Sequence, residues 1–217
     1  VKGLVHHDKG RTFPVIIRAL EQIGYSKIHT QILNSRNFGL AQNRERIYIV
    51  AFRDDIDDTS FRFPEGFDNS KRISDILEKL PVSVKYYLSA TYLETLRRHR
   101  AYHEAAGNGF GYLVKSSDEV ASALVCGGMG RERNLIIDYR TKNLTPVTNI
   151  KGPVNTEGIR KMTPREFARL QGYPDEYRIP VADVHAYKQF GNTVSVPVVR
   201  KIAENILSVL QSDKERE

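Results

Sequence analysis

Arg44 and Arg46 stand in the run Gln42-Asn43-Arg44-Glu45-Arg46, directly before the apolar segment Ile47-Tyr48-Ile49-Val50-Ala51-Phe52. On an extended backbone successive side chains alternate faces, so the two guanidiniums project together and Glu45 projects away from them. Arginine carries a rigid fork of donors, which suits the pair to gripping an oxygen-rich polar ligand. The plainer alternative is a charged strand end at the surface. Further basic residues are clustered: Arg97, Arg98, His99 and Arg100, then Arg131 and Arg133, then Arg160, Lys161, Arg165 and Arg169. With 33 Lys and Arg against 26 Asp and Glu, the net charge is +7. Such a balance favours a polyanionic partner, nucleic acid foremost. One cysteine, Cys126, allows neither an internal disulfide nor a multi-thiolate metal site, so no metal is expected and a reducing cytoplasm is the default compartment. No apolar run approaches the roughly 20 residues that a bilayer requires.

The elements that must position these residues are legible as pattern. Phe13, Ile16, Ile17, Leu20 and Ile23 recur three and four apart, which predicts a helix over 12–23 with Gly24 as its stop. Strands are predicted over 28–33 and 46–52, with Asn37-Phe38-Gly39 in the turn between them. Helix, strand, loop, strand is the grammar of an α/β layer. Ile73, Ile76, Leu77 and Leu80 predict a short amphipathic helix before Pro81, and 92–100 a second with a basic face. From 107 to 153 the chain changes character, with β-like pieces at 111–115, 122–126 and 135–139 between glycine-rich links. Gly107-Asn108-Gly109-Phe110-Gly111 and Gly127-Gly128-Met129-Gly130 read either as hairpin turns or as loops that bring backbone and arginines to phosphates and base edges. Thr163-Pro164-Arg165-Glu166 is a capping box with proline at the first helical position. Val199, Ile202, Ala203, Ile206, Val209 and Leu210 mark a terminal helix that Ser195 can cap.

Three segments carry a family resemblance. Gln42-Asn43-Arg44-Glu45-Arg46-Ile47-Tyr48 resembles the Arg-x-Arg segment of the DNA (cytosine-5) methyltransferases. The run from Arg160 through Thr163-Pro164-Arg165-Glu166 to Leu170-Gln171-Gly172-Tyr173-Pro174 resembles the penultimate motif of that family, and Gln189-Phe190-Gly191-Asn192-Thr193-Val194-Ser195-Val196-Pro197 its last. The three stand in family order and together cover nearly the whole chain. Val1-Lys2 resembles the end of the family's Glu-Asn-Val segment, so the chain is identified as a carboxyl-side part, with the catalytic Glu, the nucleophilic Cys and the glycine-rich cofactor loop lying upstream on another chain or a cleaved piece.

The resemblance implies an α/β fold: the carboxyl-side part of a Rossmann-like S-adenosylmethionine-dependent methyltransferase domain with an inserted small, irregular β-rich target-recognition domain. The implied domains are 1–79, carrying the Arg-x-Arg strand, 80–158 for target recognition, and 159–217 returning to the catalytic domain. The implied function is methyl transfer from S-adenosyl-L-methionine to carbon 5 of a flipped cytosine in a specific sequence of double-stranded DNA, within restriction-modification in a bacterial or archaeal cytoplasm. Carbon 5 is a weak nucleophile, so in the family a thiolate first adds to carbon 6 and makes carbon 5 enamine-like. That route needs a donor at the ring's polar edge and a base taken out of the duplex. The implied catalytic residues are Arg46, at the cytosine carbonyl oxygen, and Arg44, organising the catalytic Glu or a phosphate; a structural ion pair is the alternative for Arg44.

Asn192, Thr193 and Val194 are implied to complete the cofactor pocket, with Gly191 permitting a tight turn; a purely structural turn is the alternative. Candidate DNA contacts are Arg97, Asn108, Gly127, Gly128, Arg131, Arg133 and Arg165. Ala123-Leu124 stands where the family commonly has Thr-Leu, which removes a hydroxyl that could hold phosphate. Cys126 lacks a Pro-Cys-Gln context and reads as a core or loop thiol. Without the upstream nucleophile the chain alone is expected to be inactive. A non-catalytic DNA-binding or regulatory subunit derived from such an enzyme is the rival reading.

Overall fold

A computed structural model of the protein describes residues 2–68, 71–109, 111–125, 132–147 and 152–214. The helices are α1 (Thr12–Gln22), α2 (Ala90–Ala105), α3 (Pro164–Leu170), α4 (Asp183–Asn192) and α5 (Val196–Lys214). The strands are β1 (Lys27–Asn34), β2 (Gln42–Asn43), β3 (Glu45–Phe52), β4 (Val114–Lys115), β5 (Ala121–Ser122), β6 (Leu135–Ile137) and β7 (Ile159–Lys161). The chain packs as two compact units. One comprises Val1–Gly39, Arg44–Asn69 and Ser195–Glu217, the other Leu40–Asn43 and Ser70–Val194. These limits differ from the expected domain limits at 79/80 and 158/159, because the core of the second unit draws together Ile73, Ile76, Phe167, Leu170 and Phe190. Among the described residues no helix is long and apolar enough to cross a membrane.

In the first unit β1 and β3 form an antiparallel pair from Lys27↔Phe52 to Asn34↔Glu45. Asn34 organises the turn after β1, its Oδ1 accepting from the backbone N–H groups of Arg36 and Arg44, both at 3.1 Å. A 3-10 turn over Ser35–Phe38 follows, and Gly39, at φ 80°, takes the left-handed conformation that reverses the chain. Val50 and Phe52 of β3 bury against Leu33, Phe61 and the α5 stripe of Val198, Ile202 and Val209. The residues between them behave differently: Ile47, Ile49 and Ala51 stay half-buried. The apolar stripe of α1 is half-buried too, and α1 contributes no fully buried residue. β3 thus carries apolar residues on both faces, although it pairs with β1 alone among the described strands.

In the second unit β2 pairs in parallel with β5, and β4, β6 and β7 form a three-stranded sheet in that order. The β-rich pieces are shorter than the sequence suggests. The helix expected over 73–80 shortens to a 3-10 turn, Ile73–Asp75. Its first two N–H groups, which a helix would leave without internal partners, bond to the carbonyls of Glu119 and Ser117, and the turn closes with Ile76 N–H on the Ile73 carbonyl. The helix expected over 92–100 extends instead to the full length of α2, capped by Ser89, whose hydroxyl accepts from Tyr92 N–H at 3.1 Å. β7 and α4 have no counterpart in the sequence pattern.

The capping box at Thr163 forms as expected. The Glu166 carboxylate accepts from Thr163 N–H at 2.8 Å while Thr163 Oγ1 accepts from Glu166 N–H at 3.2 Å. Glu166 also takes part in a buried charge cluster. Arg160, fully buried, donates Nη1 and Nη2 to Glu166 at 2.8 Å and Nε to Asp138 at 2.9 Å, and Arg140 donates Nη2 to the same Asp138 oxygen at 2.7 Å. Burial would raise the Asp138 pKa, but the bonds from Arg140 and Arg160 outweigh it and hold the carboxyl well below the usual range.

Candidate active site

Within the first unit the local chain geometry sets the arginine pair. Arg44 stands between β2 and β3 rather than inside a strand, which corrects the expectation of one continuous extended run. Its N–H bonds to Asn34 and its carbonyl accepts from Ser35 N–H at 3.0 Å, which fixes the backbone where the strand begins. Burial alternates as expected nonetheless: Arg44 is buried, Glu45 exposed and Arg46 half-buried. Arg46 donates Nη1 to its neighbour's carbonyl, Glu45 O, at 2.7 Å. Burial pulls the Arg46 pKa down, partly offset by Tyr48, though a guanidinium remains charged at neutral pH.

Tyr48 joins this pair, and the sequence reading passed it by. Burial pushes its phenol pKa up, and the charges of both Arg44 and Arg46 pull it back. Arg46 and Tyr48, two residues apart on β3, lie on one face of the strand. A half-buried cation acts more strongly on a developing negative oxygen than one in open water.

In the second unit Asn192 and Thr193 line a concavity of about 530 Å³ with Tyr173, Tyr177, Lys188, Gln189 and Phe190. Val194 is not part of that lining and is 50% exposed. Gly191 is buried in the last turn of α4 and, unlike the turn glycines, does not have a positive φ, so the chain turns after the helix and not at that glycine. Tyr173 Oη and Thr193 Oγ1 share a hydrogen bond of 2.6 Å. Tyr173 packs against Tyr177 and Phe190 with ring centroids 4.7 and 5.4 Å away. Tyr173 was visible as part of a motif but not as a lining residue, since nothing in its spacing shows that 173 and 193 meet.

The expected DNA contacts are dispersed. Gly127, Gly128 and Arg131 lie outside the described residues, as does Cys126. Arg133 and Asn108 are exposed. Arg97 makes a two-pronged bond to Glu157 at 2.6 and 2.7 Å on the surface of α2. Arg165 donates to the carbonyls of Pro174 and Tyr177, at 3.2 and 2.6 Å, and so braces the turn after α3. Arg169 is a brace as well, reaching Asp175 and the carbonyls of Ile76 and Leu77. Among the described residues no group of three or more His, Cys, Asp or Glu could hold a metal ion.

Comparison with solved structures defines the class. The chain is similar to the Entamoeba histolytica methyltransferase EhMeth, with a TM-score of 0.63 and 18% identity over 92% of this chain and 58% of that one. It is equally similar to the S. pombe Dnmt2 methyltransferase, with a TM-score of 0.64 and 18% identity over 97% of this chain and 65% of that one. Its fold is thus the Rossmann-like methyltransferase fold with an inserted small, irregular β-rich subdomain. Residues 1–208 match the model of the C-5 cytosine-specific DNA methylases, and the chain belongs to that family. It is 56% identical over 211 residues to the type II methyltransferase M.HpaII of Haemophilus parainfluenzae, covering 97% of this chain and 59% of the relative. It is 40% identical to M.NlaX of Neisseria lactamica, covering 100% of this chain and 63% of the relative. The chain therefore spans about three-fifths of the length of these relatives.

Proposed function

We propose that the chain is one part of a DNA (cytosine-5) methyltransferase that moves a methyl group from S-adenosyl-L-methionine to carbon 5 of a cytosine flipped out of duplex DNA, in a restriction-modification setting within a bacterial or archaeal cytoplasm. The observation that carries this reading is the buried Arg44 and half-buried Arg46 at the start of β3, in a chain whose residues 1–208 match this family. Arg46 holds the cytosine carbonyl oxygen and stabilises the negative charge that grows there when a nucleophile adds to the ring. Arg44, fixed through its backbone, orients the catalytic carboxylate or a neighbouring phosphate.

The concavity beside Asn192 and Thr193 suits the methionine part of the cofactor. Its rings can face a cationic sulfonium and its amide and hydroxyl can meet polar ends. When bound, S-adenosylmethionine supplies the methyl group; these residues orient it. Residues 80–158 serve target recognition, with Arg131, Arg133 and Asn108 as candidates for base edges or phosphate. The nucleophilic Cys, catalytic Glu and glycine-rich loop come from a further segment of the same enzyme. The half-buried stripe of α1 and the Ile47, Ile49 and Ala51 face of β3 are apolar surface on which that segment can pack.

Arg46→Ala in the protein completed with that segment tests the assignment. Losing one preorganised donor to a developing oxyanion costs roughly 10²- to 10³-fold in kcat, with DNA affinity changed far less. Unchanged turnover would refute the role of Arg46. Intact DNA binding with no methyl transfer by the completed wild-type protein would favour a non-catalytic, DNA-binding subunit.

A further inference from the structure

Two glutamines in the second unit are wholly buried, and their amides are joined. Gln42 and Gln171 both have 0% exposure. Gln42 Oε1 accepts from the backbone N–H of Leu124 at 2.9 Å. Gln42 Nε2 donates to the Leu170 carbonyl at 2.8 Å and to Gln171 Oε1 at 3.3 Å. Gln171 Nε2 in turn donates to the Phe190 carbonyl at 2.8 Å. The path runs from the backbone just beyond β5 to the last turn of α4, two residues before Asn192.

Its direction is dictated by donor and acceptor chemistry. An amide offers an oxygen that only accepts and a nitrogen that only donates. Leu124 N–H requires the oxygen of Gln42, which turns its nitrogen toward Leu170 and Gln171. Gln171 must then present its oxygen to Gln42, which aims its own nitrogen at Phe190. Reversing either amide would set oxygen against oxygen at a buried site, a loss about as large as an unmade buried hydrogen bond. The Phe190 carbonyl lies in the terminal turn of α4, where helix carbonyls lack helical partners. Gln171 supplies one, so the end of α4 is held by the same chain of bonds that holds Leu124.

We propose that Gln42 and Gln171 are positioning residues: a directional amide relay through which the backbone at Leu124 and the turn carrying Asn192 and Thr193 are set in place together. This deepens the methyltransferase reading and rests on it for one of its ends, since the turn is a cofactor site only if that reading holds. Leu124 belongs to residues 80–158, proposed above to serve target recognition. The relay therefore gives target recognition a physical route to the methyl donor's pocket that needs neither Arg44 nor Arg46.

The test is amide hydrogen exchange on the protein completed with its upstream segment, comparing Gln42→Met and Gln171→Met with wild type. Segments 121–125 and 189–194 are read in each variant. A relay predicts effects at the far end: Gln42→Met speeds exchange in 189–194, and Gln171→Met speeds it in 121–125, each roughly fivefold. The double variant should then match the worse single one. Two independent braces predict acceleration only beside the substituted residue, and that result would overturn the proposal. If either Met variant fails to fold, Gln42→Asn and Gln171→Asn keep a polar amide but are one methylene too short to span both partners, and they are read the same way.

Affinity for S-adenosylmethionine is measured alongside. Gln42→Met should weaken it about fivefold although Gln42 does not line the concavity, and affinity unchanged beside a far-end exchange effect would remove the relay's role in the cofactor site. If the completed wild-type protein binds no S-adenosylmethionine, the methyltransferase reading falls, while exchange still decides the relay.

Discussion

Replacing Arg160 with methionine removes the centre of the buried charge cluster, and the structure sets the size of the effect. Three guanidinium bonds to carboxylates are lost, two to Glu166 and one to Asp138, along with a bond from Nη1 to the Lys161 carbonyl at 3.0 Å. Breaking a buried pair by removing one partner costs about 3 to 5 kcal/mol, because a charge stays behind without compensation. Here both orphaned carboxylates keep other donors. Asp138 retains Nε and Nη2 of Arg140, and Glu166 retains the N–H groups of Thr163 and Glu78. The lower end of the range, about 3 kcal/mol, is therefore expected.

Urea unfolding at pH 7 measures the loss for the completed protein. Adding Glu166→Gln to Arg160→Met should restore part of it, since removing the leftover charge relieves the cost of the first change, and the two effects should be strongly non-additive. A loss below about 1 kcal/mol, or simple additivity of the two substitutions, would refute the idea that this cluster is a buried, mutually dependent unit.

Other outcomes follow from the same geometry. The Asp138 carboxyl is held below its ordinary pKa, so its contribution to stability is fully present above the unfolded value near 4. It is lost as pH falls through the lower folded value. Acid melting curves should therefore steepen below about pH 4, and Asp138→Asn should flatten that region while lowering stability at pH 7. Thr163→Ala removes the hydroxyl of the capping box and should cost about 1 kcal/mol in urea unfolding; no loss would mean that Glu166 alone holds the start of α3. Tyr173→Phe deletes the hydroxyl bonded to Thr193 and keeps the ring. It should raise the KM for S-adenosylmethionine several-fold with a smaller change in kcat, and an unchanged KM would detach Tyr173 from the cofactor site.

Much of this arrangement is readable from residue order where local rules suffice. The helices over 12–22 and 164–170 announce themselves through stripe and capping box, and β1 and β3 through apolar runs closed by turn residues. Gly39 sits where the turn requires positive φ. Pattern fails where distant partners decide. The chain from Ile73 makes only a 3-10 turn, its first N–H groups tied to the distant carbonyls of Glu119 and Ser117. β7 is three residues long and contains an arginine that is apolar in no scale, yet Arg160 is buried because Asp138 and Glu166 meet it there.

The site was legible in the same uneven way. Arg44 and Arg46 stand out by type and spacing, but that the chain leaves β2 and enters β3 at Arg44, pinned there by Asn34, does not. The pocket wall at Tyr173 and the path through Gln42 and Gln171 need contacts that span up to 129 residues, which periodicity does not encode. Arg97 and Arg165 illustrate the converse: basic residues in a basic stretch look like phosphate ligands, and their hydrogen bonds go to Glu157 and to backbone carbonyls.

The central claim is that these residues are the cytosine-facing and cofactor-facing portion of a methyltransferase whose nucleophile lies in a separate segment. Transfer of labelled methyl from S-adenosylmethionine to duplex DNA, with the modified base identified by mass, tests it most directly in two preparations: residues 1–217 alone, and the same residues joined to an upstream family segment carrying the Cys, the Glu and the glycine-rich loop. The account predicts 5-methylcytosine from the joined protein and none from residues 1–217. Methylation by residues 1–217 alone, or a folded joined protein that binds DNA and S-adenosylmethionine yet makes no 5-methylcytosine, would contradict it.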